Sequence, residues 1–108
     1  MKYEVKVIGS GADTVLSVIN KNDFAWHTCF ILVNGEYSQI ISEEERTDVT
    51  KDVPAGGSFD IRINRELVNQ AGRGFSGALT DFELDCDQGK ISEQVTSTLT
   101  TNRKTIKG

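Results

Sequence analysis

The stretch Phe24-Ala-Trp-His-Thr-Cys-Phe-Ile-Leu-Val-Asn-Gly35 decides the fold, because no other segment of the 108-residue chain is long and apolar enough to sit in the middle of a domain. Side chains alternate across an extended strand, so Cys29, Ile31 and Val33 share one side, and Thr28, Phe30 and Leu32 share the other. Both sides are substantially apolar. A strand of a two-layer sandwich normally buries one face, so the Phe30 and Leu32 side is expected to be covered by another part of the chain, by a protein partner or by a second copy. Asn34-Gly35 closes the stretch as a hairpin turn, since both residues tolerate positive φ, and Tyr37 to Ser42 returns as the next strand.

Upstream, Lys2 to Ile8 alternates, with Tyr3, Val5 and Val7 facing one way and Lys2, Glu4 and Lys6 the other, as in a half-buried strand. Gly9 to Asp13 is a turn. Thr14 to Asn20 is a second strand carrying Leu16 and Val18 on one face, and Asn20-Lys-Asn-Asp23 breaks the chain before the central stretch. Downstream, Glu43-Glu44-Glu45-Arg46 through Lys51-Asp52 reads as a charged, exposed connection, and Pro54-Ala-Gly-Gly57 as a turn into Ser58 to Asn64. There Phe59, Ile61 and Ile63 oppose Asp60, Arg62 and Asn64. Asn64 is placed to cap a short helix over Arg65 to Ala71, closed by Gly72. In Ala78 to Asp87, Phe82, Leu84 and Cys86 alternate with a ladder of four acids, Asp81, Glu83, Asp85 and Asp87.

The pattern predicts an all-β chain: an immunoglobulin-like antiparallel β-sandwich of about seven strands with one short helical turn. Its domain is expected over residues 1–87. Residues 88–108 turn polar, with Ile91, Val95, Leu99 and Ile106 too sparse for a core element, and are read as an edge strand over 94–101 or a tail. One domain with one core is what this length allows. With 37% hydrophobic and 7% aromatic residues, a surface or edge site is favoured over a large internal ligand cavity.

A formal charge of -4 and a pI near 4.9 argue against phosphate-backbone binding, so nucleic acid is not expected as a partner. No apolar run reaches about 18 residues, so no membrane-spanning helix is expected. Met-Lys-Tyr-Glu-Val-Lys-Val lacks the apolar centre of a signal peptide. The compartment is therefore open: cytoplasmic, or extracytoplasmic if a signal was removed.

The order Val18-Ile-Asn20, Asn22-Asp23-Phe24, Trp26, Val33-Asn34-Gly35-x-Tyr37, Val53-Pro-Ala-Gly56, Gly72-x-x-Phe75 and Phe-x-Leu-x-Cys86 resembles small immunoglobulin-like β-sandwich domains of uncharacterised function. These occur in bacterial proteins, mostly extracytoplasmic, and in some phage-borne ones. The likeness runs from about Leu16 to Cys86. It implies that Asn20 to Asp23 turns between two strands, that Trp26 starts the central strand, and that Pro54-Ala-Gly56 leads into the other sheet. It implies no activity, because this architecture hosts unrelated functions.

Chemistry is sparse. The sole histidine, His27, and Cys29 form a His-x-Cys pair that a regular strand would place on one face, roughly 6–7 Å apart, leaving a thiol-dependent enzyme conceivable. The bland alternative is an edge histidine beside a structural cysteine. Cys29 and Cys86 both fall on inferred core faces, so one disulfide between them is geometrically allowed; two buried thiols are the alternative. The acids of Asp81, Glu83, Asp85 and Asp87 lie along one strand rather than facing each other across a cleft, which suits a basic partner better than acid/base catalysis. No Asp-x-Asp-x-Asp-Gly loop offers calcium a cage, and the glycine pairs lack the helix of a phosphate loop. No cofactor or metal is expected. The favoured reading is a non-catalytic protein-interaction module, possible self-association included, with Phe30 and Leu32 as an apolar interface and the acidic ladder as a charged one. The runner-up is an acidic, phage-type inhibitor that enters a basic groove of a host protein.

Overall fold

The computed structural model describes residues 1–39 and 49–95 and the backbone of residues 103–107. In chain order these hold β1 (Tyr3–Ile8), β2 (Val15–Asn20), β3 (Trp26–Val33), β4 (Tyr37–Ser38), β5 (Lys51–Val53), β6 (Ser58–Arg62), α1 (Ile63–Glu66), β7 (Asp81–Cys86), β8 (Gly89–Gln94) and β9 (Arg103–Lys107). All pairings are antiparallel. One sheet has the order β6-β2-β1-β9; the other runs β4-β3-β7-β8, with β5 also paired to β3. The fold is thus the all-β sandwich that the alternation predicts, with nine strands among the described residues rather than about seven.

The two sheets bury their inner faces against each other. Val5, Leu16, Val18, Phe59 and Ile61 come from the first sheet, and Trp26, Ile31, Val33, Phe82 and Leu84 from the second, all at most 4% exposed. Each such side chain contributes on the order of 1.5–3 kcal/mol by leaving water. Asn20, fully buried at the end of β2, is the polar tie within this core. Its Nδ2 donates to the Phe24, Val53 and Pro54 carbonyls at 2.8, 3.3 and 3.3 Å, and its Oδ1 accepts from the Asn22 N–H at 2.9 Å. One side chain therefore fixes the entry to β3 and the exit from β5.

The two predicted turns form as their residues require. Asn34 and Gly35 have φ of 55° and 69°, and the Glu36 N–H donates to the Val33 carbonyl at 3.0 Å, a type I′ turn. Gly56 takes φ 79° within Pro54–Gly57, where the Gly57 N–H donates to the Pro54 carbonyl at 2.8 Å, a type II turn.

Strict alternation fails at one point of β3. Trp26 and Cys29 are both fully buried although they lie three residues apart. The β3–β5 register shifts between them, and Thr28 adopts φ 58°, so a bulge absorbs one residue and returns both side chains to the core. His27 is left exposed, and the expected common face for His27 and Cys29 is not formed. Cys29 is bonded to Cys86. Continuing the Phe30–Asp85 register makes the two cysteines direct neighbours on β3 and β7, so the disulfide joins adjacent strands of one sheet.

Three further expectations are corrected. The helix covers Ile63–Glu66 instead of Arg65 to Ala71, because Val68 exchanges two 2.9 Å backbone bonds with Ser38, and the Leu67 carbonyl accepts from Phe75 N–H at 3.2 Å. Asn64 does not cap it; its Nδ2 donates to the Gly11 carbonyl at 3.3 Å. Strand pairing offers those backbone groups more than a marginal seven-residue helix would. Lys51 and Asp52, read as the end of an exposed connection, belong to β5 together with the buried Val53. The sheet also runs past residue 87: β8 pairs along all of β7, and Ile91, read as too isolated for a core, is 2% exposed. The acidic run Glu43 to Glu45, the strand expected over Tyr37 to Ser42 beyond Gln39, and most of the 94–101 edge strand lie outside the described residues.

Candidate functional site

Register decides where the predicted site residues go. Opposed residues of neighbouring strands point to the same side of a sheet, and Phe30 pairs with Asp85 while Leu32 pairs with Glu83. The apolar stripe and the acidic ladder, predicted as two surfaces, therefore form one: the outer face of the five-stranded sheet. Phe30, Leu32, Asp81, Glu83 and Asp85 are all half-buried there. Asp87 is not on this column. It lies beyond the end of β7, in the turn to β8, where its N–H donates to the His27 carbonyl at 2.9 Å.

On the far side of the acids, β8 places Lys90 opposite Asp85, Ser92 opposite Glu83 and Gln94 opposite Asp81. Lys90 Nζ reaches Glu83 Oε1 at 3.5 Å, with both side chains about half exposed (54% and 46%), so that contact contributes little. Asp81 Oδ2 accepts from the Thr80 hydroxyl at 2.9 Å, which orients its carboxylate. Among the described residues the face sets three acids against one lysine, beside two large apolar side chains. A shallow open groove of about 170 Å³ runs between β7 and β8, lined by Asp81, Phe82, Glu83, Ser92, Glu93 and Gln94. That is below the roughly 300 Å³ at which small-molecule pockets begin.

The bulge forms a second polar cluster, which strand alternation had no means of revealing. Asp52 Oδ1 accepts the Thr28 N–H at 3.0 Å, and Asp52 Oδ2 lies 3.5 Å from His27 Nδ1. The Asp52 carboxyl is held below its ordinary value of 3.8, chiefly by that backbone bond; desolvation opposes the shift, and His27 adds to it through a hydrogen bond and its charge. The His27 N–H donates to Gln88 Oε1 at 2.6 Å. With Cys29 in a disulfide and His27 turned outward, the cluster lacks the thiol–imidazole contact that thiol chemistry would need. Among the described residues no three His, Cys, Asp or Glu side chains converge as metal ligands.

At the opposite side of the sheet, the Tyr3 hydroxyl of β1 donates to a Glu93 carboxylate oxygen of β8, a hydrogen bond between the two layers. Burial, and then this bond, push the Tyr3 hydroxyl pKa well above its ordinary value. The role of this pair is to clamp the layers. Comparison of the chain with protein-family models, curated proteins and solved structures finds no match in any of the three.

Proposed function

We propose that the chain is a non-catalytic immunoglobulin-like module that binds a protein partner through the outer face of β4-β3-β7-β8. The observation that carries this is the merging of Phe30 and Leu32 with Asp81, Glu83 and Asp85 on one sheet surface. Apolar area supplies affinity, and the acids select a partner that is basic around an apolar patch. A second copy is the poorer occupant, since stacking this face on itself brings acids near acids. The immunoglobulin-like assignment is supported by strand grouping: the first, second and sixth strands share one sheet, and the third, seventh and eighth the other, as A-B-E and C-F-G do. The disulfide departs from the antibody pattern by lying within one sheet rather than between the two.

Three strands at about 4.8 Å spacing and about six residues at about 3.3 Å, with the short β4 beside them, give a face of roughly 300 Å² in plan. A standard interface takes about 800 Å² per partner, so this contact is a transient one unless adjoining loops enlarge it. Placing a photo-crosslinking residue at Leu32, with a control at Ile8, tests the reading. Adducts specific to position 32 and removed by Asp85→Lys are expected. Equal adducts from both positions, or adducts indifferent to Asp85→Lys, would dispose of it. Concentration-dependent association of purified protein, abolished by Phe30→Asp, would make the second copy the occupant.

A further inference from the structure

From the spacing of the two columns we infer that the partner presents a cationic amphipathic helix, an inference that rests on the docking reading of this face. Leu32 and Phe30 form one column on β3, and Glu83 and Asp85 form the next on β7, in matched rows. Neighbouring strands lie about 4.8 Å apart, so a partner element must address both columns across that width. A single extended strand presents one row of side chains to the sheet and serves one column. A helix, about 10–12 Å across with side chains, covers both.

The lengthwise repeat also agrees. Successive positions in each column are two strand residues, about 6.8 Å, apart. Residues four apart on a helix rise about 6.0 Å, a mismatch under 1 Å per step. Over the three acids Asp81, Glu83 and Asp85 the drift stays within about 2 Å, which lysine and arginine side chains absorb. A six-residue strand such as β7 is about 20 Å long, matching about 13 helical residues. The occupant is therefore a helix of three to four turns with an apolar stripe over Phe30 and Leu32 and a flanking basic stripe over the acids, the helix-in-groove mode laid on a sheet.

The test uses the intact protein, ¹⁵N-labelled, and two synthetic 14-residue peptides of identical composition. One carries three leucines at i, i+4 and i+8 with three lysines along one flank in an otherwise alanine and glutamine sequence; the other sets the same three leucines and three lysines in strict alternation over six consecutive positions, which puts them on opposite faces of a strand. The first is expected to shift the amides of residues 30–32 and 83–85, to become helical on binding, and to bind at least tenfold more tightly than the second. Asp85→Lys, and separately Glu83→Lys, with melting temperatures checked, should each weaken it about tenfold. If the alternating peptide binds the same amides equally or better, the helix inference fails and the docking face stands. If neither peptide shifts this face, or the shifts fall elsewhere, both fail.

Discussion

Replacing Thr28 with glycine should make the protein more stable, an uncommon outcome for a residue inside a strand. Thr28 has φ 58°, a left-handed conformation that costs a β-branched residue about 1–2 kcal/mol. Glycine adopts it freely but returns about 0.5–1 kcal/mol through the entropy of the unfolded chain. The Thr28 side chain is exposed, so little packing is lost, and the backbone N–H that donates to Asp52 Oδ1 remains in place. The net gain spans about 0–1.5 kcal/mol and centres near 0.75 kcal/mol, about 3 °C in melting temperature for a domain of this size. Thr28→Val, which keeps the branching, should give no gain. Urea unfolding of the three proteins, with slopes compared, measures this. A glycine variant less stable than wild type, or a valine variant as stabilised as the glycine one, would refute the bulge and the account of β3 built on it.

Asn20→Leu, with the same number and branching of side-chain heavy atoms but bulkier methyls, removes the partner of three carbonyls and of the Asn22 N–H and should cost at least about 3 kcal/mol; a loss under 1 kcal/mol in urea unfolding would deny Asn20 its tying role. Replacing Cys29 and Cys86 by alanine together should cost roughly 4 kcal/mol, the loop-closure value for a 57-residue separation, and an unchanged unfolding midpoint would contradict the crosslink. The Asp52 pKa is lowered in the folded state, so its contribution is present above the unfolded value near pH 4 and is lost as pH falls below it. Asp52→Asn should therefore lower stability at pH 6 and converge with wild type as the pH falls below the unfolded value. A difference that persists at low pH would place the effect outside this carboxylate.

Much of the fold was legible because period-two alternation marks β1, β2, β6 and β7 directly, and because Asn34-Gly35 and Pro54 to Gly57 require the turns they make. What escaped the sequence was set by tertiary context. The Thr28 bulge has no local signature: threonine favours strands and carries no sign of positive φ. α1 stops at Glu66 because Val68 finds a partner in Ser38, thirty residues earlier. β8 looked like the start of a tail because only Ile91 faces the core, yet an edge strand needs few apolar residues once β7 supplies its hydrogen bonds. The composition of the candidate face was readable, in Phe30, Leu32 and the acids. That these make one surface was not, since strand alternation fixes sides within a strand but not which strands are neighbours.

The measurement that reaches the central claim most directly is the salt dependence of binding between the purified chain and the protein crosslinked through position 32. Docking by the acid-flanked apolar face predicts an affinity that falls as ionic strength rises, because exposed charges are screened over about 8–10 Å. It also predicts a shallower dependence for Asp85→Lys. Affinity independent of salt, or a slope unchanged by Asp85→Lys, would contradict it.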